Sequence, residues 1–202
     1  MNSQMFGIRD RVVATVVLSV LAACTLTILN QSWRAREHAE SVFAAQSMLI
    51  AGQARSTIAT GDASLTASFF ADLEKAADGQ SAYNTLVAVA AYDRRAARIG
   101  GSSREAIEPG QIDAMGVAAR AAMERHSQTI ERVGDRLVVS TPLAADEAAP
   151  PTGAVTTVWN TSAADAAIRA ETITKAAQAV VGSLLLMLVV MITLDKIGRA
   201  HV

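Results

Sequence analysis

Cysteine occurs once in this chain, at position 24. A lone thiol excludes an intrachain disulfide and a metal cluster built from cysteine. Histidine is almost as scarce. His38 and His126 lie far apart and the third, His201, is next to last, so no pair stands at metal-ligand spacing. Excess charge of one sign is also missing: 18 basic residues against 19 acidic ones leave a net charge of -1. With both signs interspersed, no broad positive field exists to attract nucleic acid, which is excluded as a partner.

Catalytic signatures are absent as well. No G-x-S-x-G, P-loop or dinucleotide fingerprint occurs, and Ser81, Ser102 and Ser103 have no evident histidine partner. Asp72 and Glu74 are two apart, a spacing that points helix side chains in different directions, while Asp146 and Glu147 fall in a loop. Asp113 reads as a helix-face residue, and the sequons at Asn30 and Asn160 are patterns common by chance. Neither catalysis nor a cofactor or metal is expected of these 202 residues.

What the chain does have is two uncharged apolar runs, Val12–Asn30 and Ala176–Leu194, of 19 residues each. At about 1.5 Å per helical residue, each approaches the ~30 Å hydrocarbon thickness of a bilayer. The hydrophobic fraction of 51% owes much to these runs and to abundant alanine, and the sequence between them is polar enough to be soluble. The expected organisation is therefore a cytoplasmic N-terminus (1–11), a first span (12–30), one extracytoplasmic domain (31–175), a second span (176–194) and the start of a cytoplasmic part (195–202).

Arg9 and Arg11 precede the first run and Trp33 follows it as an interface anchor, which suits an uncleaved helix with its N-terminus inside; Arg34 and Arg36 at the far end leave orientation undecided by basic residues alone. Leu21-Ala22-Ala23-Cys24 supplies a second reading, since it resembles the lipobox at which lipoprotein signal peptides are cut and the cysteine lipidated. Length favours the uncleaved helix. The apolar run continues through Leu26, Ile28 and Leu29, past the roughly 7–15 residues of a signal-peptide core. The second run, Leu184–Ile192 above all, has no polar interruption and is the cleaner span; a buried core helix is its rival. The six residues after Lys196, Ile197–Val202, are what ATC GGA AGA GCA CAC GTC encodes, a sequence resembling a sequencing adapter, so an incomplete reading frame is expected there.

Between the spans, Gln31 to about Thr60 lacks proline and places Val42, Phe43, Gln46, Leu49 and Ile50 at helical spacing. Thr60-Gly61-Asp62 breaks this helix. Asp62 then caps a second one with Leu65, Phe69, Phe70 and Leu73 as its apolar stripe, ended by Asp78-Gly79. Leu86–Tyr92, between Asn84 and Asp93, reads as a buried strand, and Arg98–Ser102 can return antiparallel to it. Glu108-Pro109-Gly110 opens a helix over Gln111–Arg125 that covers the sheet with Ile112, Met115, Ala119 and Ala122. Gly134-Asp135 joins Ser127–Val133 to Arg136–Leu143 in a tight hairpin, because glycine accepts positive φ at the first central position. A loop over Ala144–Gly153, carrying Pro150-Pro151, precedes a last strand, Ala154–Trp159, and helical sequence runs from Ser162 into the second span.

This order predicts an α+β fold: an antiparallel sheet of about five strands, a long N-terminal helix and two flanking transmembrane helices. It resembles the single Cache, PAS-like sensor domains of bacterial transmembrane receptors over Gln31–Lys175. The local carriers of the resemblance are Leu86–Asp93 followed by Arg98–Ser103, then Arg136–Leu143 with Thr141-Pro142-Leu143, and Gly153–Trp159. Family members follow the strand-ending Asp with a glycine turn; here Asp93 is followed by Arg94-Arg95-Ala96-Ala97. The resemblance implies a homodimer in the bacterial inner (cytoplasmic) membrane, with the central domain in the periplasm or extracellular space. It also implies a small-molecule ligand and a helix displacement passed to a cytoplasmic effector: a chemotaxis signalling rod, a histidine kinase or a cyclic-dinucleotide enzyme.

For ligand contacts, Tyr92, Arg98, Arg132, Arg136 and Trp159 lie on or beside the strands. Arginine can clamp a carboxylate in a bidentate pair and an aromatic ring can wall a pocket. Against this, charged strand residues usually face water and aromatic ones usually fill the core; His38 and His126 read as surface residues. Two other functions compete: a lipid-anchored envelope or substrate-binding protein using Cys24, and a structural membrane scaffold.

Overall fold

The computed structural model describes residues 8–59, 68–73, 85–104, 109–144 and 149–199. Its elements are α1 (Ile8–Ala59), β1 (Leu86–Asp93), β2 (Arg98–Ser103), α2 (Pro109–Arg125), β3 (Thr129–Val133), β4 (Arg136–Leu143), β5 (Gly153–Asn160) and α3 (Ser162–Arg199). Residues 68–73 are also helical. The expected helix break at Thr60–Asp62, Leu65, Asp78-Gly79, Asn84, Glu108, the acidic pair Asp146-Glu147 and the tail residues Ala200–Val202 lie outside the described residues. The chain divides into two compact units, one within Met1–Glu37 and Asp165–Val202, the other within His38–Ala164.

The first unit is formed by the outer parts of α1 and α3. Their least exposed side chains recur every three or four residues, Val13, Val17, Cys24 and Ile28 on one helix and Ile168, Thr172, Ala179 and Ser183 on the other, the period of a helix-pair seam. Small residues on α3 allow close approach. Lys175 Nζ donates to Gln31 Oε1 at 2.9 Å and pairs with Glu171 at 2.7 Å. The remaining apolar surface is uncovered. Leu26, Leu29, Leu184, Leu185 and Val189 are all more than half exposed, and only 6% of the most apolar window of each helix is buried. This overturns the buried-core reading of Ala176–Leu194, since a core helix is enclosed by its own chain. Both helices are long and apolar enough to cross a membrane.

The second unit is a five-stranded antiparallel sheet in the order β2-β1-β5-β4-β3, with β5 central. β1 and β5 are buried almost throughout because both faces of the sheet are covered, which explains why β1 reads as a continuous apolar run. On one face Leu86, Val89, Ala91, Leu137, Val139, Val155 and Trp159 meet Ile50, Ala51 and Ala54 of α1, together with Phe70 and Leu73. On the other, Ala88, Ala90, Tyr92, Val138, Ala154 and Val158 meet Met115, Ala118, Ala119 and Met123 of α2. A bulge between Leu86 and Ala88 on β1 sends Val87 to the α2 face beside Ala88, breaking strict alternation.

Two apolar faces differ from expectation. On α1, Val42 and Leu49 are exposed, and the buried face is Ser47, Ile50, Ala51 and Ala54 with Phe43 beside it. On α2, Ile112 is exposed while Met115, Ala118, Ala119, Ala122 and Met123 are buried. Small residues line both contacts, because they let a helix lie close to a pleated sheet.

The turns follow local chemistry. Gly134 has φ +64° between paired Val133 and Arg136, as a two-residue hairpin with glycine first requires. After β1, the chain turns without glycine: Asp93 Oδ1 accepts the N–H groups of Arg95 and Ala97, both at 2.8 Å, and Ala96 takes φ +59°. At the end of α2, His126 adopts φ +53°, with its N–H on Met123 O and the Ser127 N–H on Ala122 O, a Schellman cap in which histidine stands where glycine is usual. A left-handed alanine costs about 1–2 kcal/mol, partly offset by the entropy glycine loses on folding. Ala96→Gly is therefore expected to raise stability by about 0.5 kcal/mol in thermal denaturation; a decrease would mean that the Ala96 methyl, packed on the α2-side core, outweighs the strain.

Candidate functional site

The sheet separates the five strand residues singled out above. Trp159 is fully buried on the α1 face, and Tyr92 is buried on the α2 face. Arg98 is exposed on β2 opposite Tyr92 in register. Arg132 and Arg136 flank the β3–β4 turn. Only Tyr92 and Arg98 stand opposite each other in register, whereas Arg132 faces Leu137 and Arg136 faces Val133; the five do not line one pocket.

Trp159 belongs to a closed hydrogen-bond set. Its Nε1–H is shared between Ser47 Oγ and Thr157 Oγ1, each at 2.9 Å, and those two hydroxyls are 2.7 Å apart. Ser47 in turn donates to Phe43 O, and the Phe43 ring stacks on the indole with centroids 5.3 Å apart. Every polar atom here is satisfied, so the indole serves to pin α1 to the central strand. Sequence periodicity missed Ser47, because a buried serine carries no hydrophobic signal.

A second tie lies at the ends of the same elements. Arg132 Nη2 donates to Glu40 Oε1 of α1 at 3.2 Å, and its Nη1 reaches Thr161 Oγ1 at 3.5 Å. The Thr161 hydroxyl and N–H both donate to Asp135 O in the hairpin turn. Asn160 Oδ1 accepts the Ser162 N–H, giving this sequon asparagine a role in starting α3. Arg136 is mostly buried, 4.0 Å from Asp135.

Burial raises the Tyr92 phenol above its ordinary range, with the Arg98 charge opposing the shift. The folded state thus favours the neutral phenol. That contribution to stability is complete below the unfolded value near 10 and is lost as pH rises through the folded value. Stability is expected to fall above about pH 10, and the fall should be shallower in Tyr92→Phe when denaturation midpoints are compared at pH 8 and pH 11.

Among the described residues, the His38–Ala164 unit carries an open cleft of about 380 Å³. Arg94, Arg95 and Ala96 enter it from the β1–β2 turn, and Arg120, Glu124 and His126 from the end of α2. Pro150 and Pro151, just before β5, close a third side. The three guanidinium groups make no hydrogen bond or ion pair with a described residue. These arginines also escaped sequence reasoning; the Arg94-Arg95 pair after a strand was the available signal. His38 and His126 are exposed, as expected. Cys24 is half-buried within α1, and no group of three or more potential metal ligands occurs among the described residues.

Comparison with known proteins returns no match to a family model and none to a curated protein.

Proposed function

We propose that this chain is the sensory input portion of a membrane signal-transduction receptor, a single Cache, PAS-like domain held outside the bacterial cytoplasmic membrane by two spans and working as a homodimer. The observation that carries the reading is the double attachment of one central strand. β5 holds α1 through Trp159 and Thr157 on Ser47, and passes through Asn160 and Thr161 directly into α3. Among the described residues, α1 and α3 are also the two helices apolar and long enough to cross a membrane. A ligand that favours one position of this strand against α1 shifts the equilibrium between two helix arrangements by its difference in affinity for them. The Arg132 contacts to Glu40 and Thr161 tie α1 to the residue that precedes α3. The five-stranded antiparallel sheet behind a long N-terminal helix supports the PAS-like assignment, and the homodimer rests on the resemblance alone.

The test uses the full chain in a Cys24→Ala background. A small-molecule library is screened by thermal shift, since a ligand specific for the folded state raises its midpoint. Gln31→Cys with Lys175→Cys then reports the helix pair through its rate of disulfide formation, since the native side chains meet and the rate depends on how often helix motion brings the two thiols within bridging distance. A stabilising ligand that changes this rate several-fold supports the sensor. A screen without hits, or a ligand that leaves the rate unchanged, counts against it. Placement is checked by Ser127→Cys, which should react with a membrane-impermeant maleimide in intact cells.

A further inference from the structure

We infer that the cleft between the β1–β2 turn, the end of α2 and Pro150-Pro151 binds a small organic polyanion, a molecule carrying two or more carboxylate or phosphate groups. This deepens the sensor reading, on which it rests for its signalling consequence alone; the binding claim stands on the cleft itself.

Charge is the first argument. Arg94, Arg95 and Arg120 line the cleft, and Glu124 is the one carboxylate among its described lining residues, whereas the chain as a whole carries a net charge of -1. Three guanidinium groups that line one cleft repel, and none of them is neutralised by a described residue. An anion relieves that repulsion and engages their planar donor forks two bonds at a time. Lysine would supply similar charge without the fork, so arginine at all three places favours carboxylate or phosphate groups over simple halide.

Shape and backbone geometry supply the second argument. A volume of about 380 Å³ falls within the roughly 300–1,000 Å³ range of small-molecule sites. Ala96 and His126, which line the cleft, are the two non-glycine residues with positive φ among those described. Such conformations persist where the surrounding structure over-determines them, and they gather at binding sites. Here the turn held by Asp93 places Arg94 and Arg95 at the mouth, and the cap at His126 ends α2 just beyond Glu124, in the turns that carry Arg120 and Glu124. The two strained corners therefore set where the cationic groups stand.

Function follows from position on the sheet. β5 begins at Gly153, next to the cleft's proline wall, and ends at Asn160, where α3 starts. Drawing the β1–β2 turn and α2 together over an anion would load the end of the strand that carries Trp159.

The test measures binding of citrate, succinate and pyrophosphate to the full chain in detergent by calorimetry at fixed ionic strength, with acetate as the monoanion. Citrate or pyrophosphate should bind saturably and at least tenfold more tightly than acetate, and the stronger of the two identifies carboxylate or phosphate as the preferred group. R120A and the double variant R94A/R95A should each weaken binding about tenfold. Because these side chains are exposed and make no hydrogen bond or ion pair with a described residue, the unliganded thermal midpoint should stay within about 2 °C. R169A, a change on α3, should bind as the parent does. Saturable binding absent for all three polyanions, or weakened as much by R169A, overturns the proposal. So does binding that appears only in D146N/E147N, for then the chain's own carboxylates fill the cleft. Polyanion binding without a change in the Gln31→Cys, Lys175→Cys rate would sink the sensor reading and leave the cleft assignment intact. A different ligand that moves the rate without touching the arginines would do the reverse.

Discussion

Replacing Trp159 with alanine is expected to cost about 3–5 kcal/mol, the range for truncating a fully buried large aromatic residue. Three losses combine. The indole area leaves the α1-side core, the Phe43 ring loses its stacking partner, and Ser47 and Thr157 lose a shared donor inside an enclosed space. Trp159→Phe separates them: it keeps most of the apolar area and removes only the N–H, so its cost should be nearer 1–2 kcal/mol. Ser47→Ala should cost about 1 kcal/mol, since Thr157 still accepts from the indole. Denaturation of the full chain in detergent, followed by far-ultraviolet circular dichroism, gives all three values. A Trp159→Ala cost below about 1 kcal/mol would fit an indole that faces a ligand pocket, and would contradict its place as the bolt between α1 and β5.

Much of this fold was legible in the sequence, where the deciding interactions are local. Gly134-Asp135 set the hairpin, and its strands match expectation to within two residues because the turn fixes the register of everything beside it. Leu86–Tyr92 could be read as a buried strand because both its faces are covered, so apolar character is unbroken. The missing glycine after Asp93 changed the turn's chemistry and left its position unaltered: the aspartate side chain does the tying and Ala96 absorbs the strain. The buried face of α1 was less legible. Ser47 is buried because of an indole 112 residues away, and Ala51 and Ala54 are buried by being small. Neither cause produces an apolar stripe.

The candidate site was less legible still. Choosing polar and aromatic residues on strands selected side chains without knowing which face each would take. Trp159 and Tyr92 fell on opposite sides of the sheet. Arg132 became a tie between α1 and Thr161, a role set by how the hairpin lies against its neighbours. The cleft takes its arginines from a turn and a helix end and its proline wall from a loop, three segments well separated in sequence. The pairing of β1 with β5 and the packing of α2 on the same face of the sheet bring these three segments together. What local sequence did offer was the Arg94-Arg95 pair, and its meaning depended on Arg120 standing across the cleft.

Gly153→Val is expected to be the other severe substitution. A Cβ at this position would collide with the Tyr92 carbonyl oxygen and lie 3.7 Å from the Asp93 Cα, so the obstruction is backbone. Gly153 pairs with Asp93 on one side and with Leu143 on the other, at the start of the central strand. Relief requires opening the β1–β5 ladder at its end, because a carbonyl already in a sheet cannot rotate aside as a side chain can. Overpacking typically costs about 1–3 kcal/mol, and a branched side chain against main chain should reach the top of that range or beyond it. Gly52 provides the contrast. It lies exposed in α1 with nothing within 4 Å of a built Cβ, so Gly52→Ala should stabilise by about 0.5–1 kcal/mol through helix propensity alone. The pair of variants measured by the same denaturation experiment should move in opposite directions. If Gly153→Val is tolerated within about 0.5 kcal/mol, β5 does not begin at Gly153, and the link from the cleft's proline wall through the central strand to α3 fails with it.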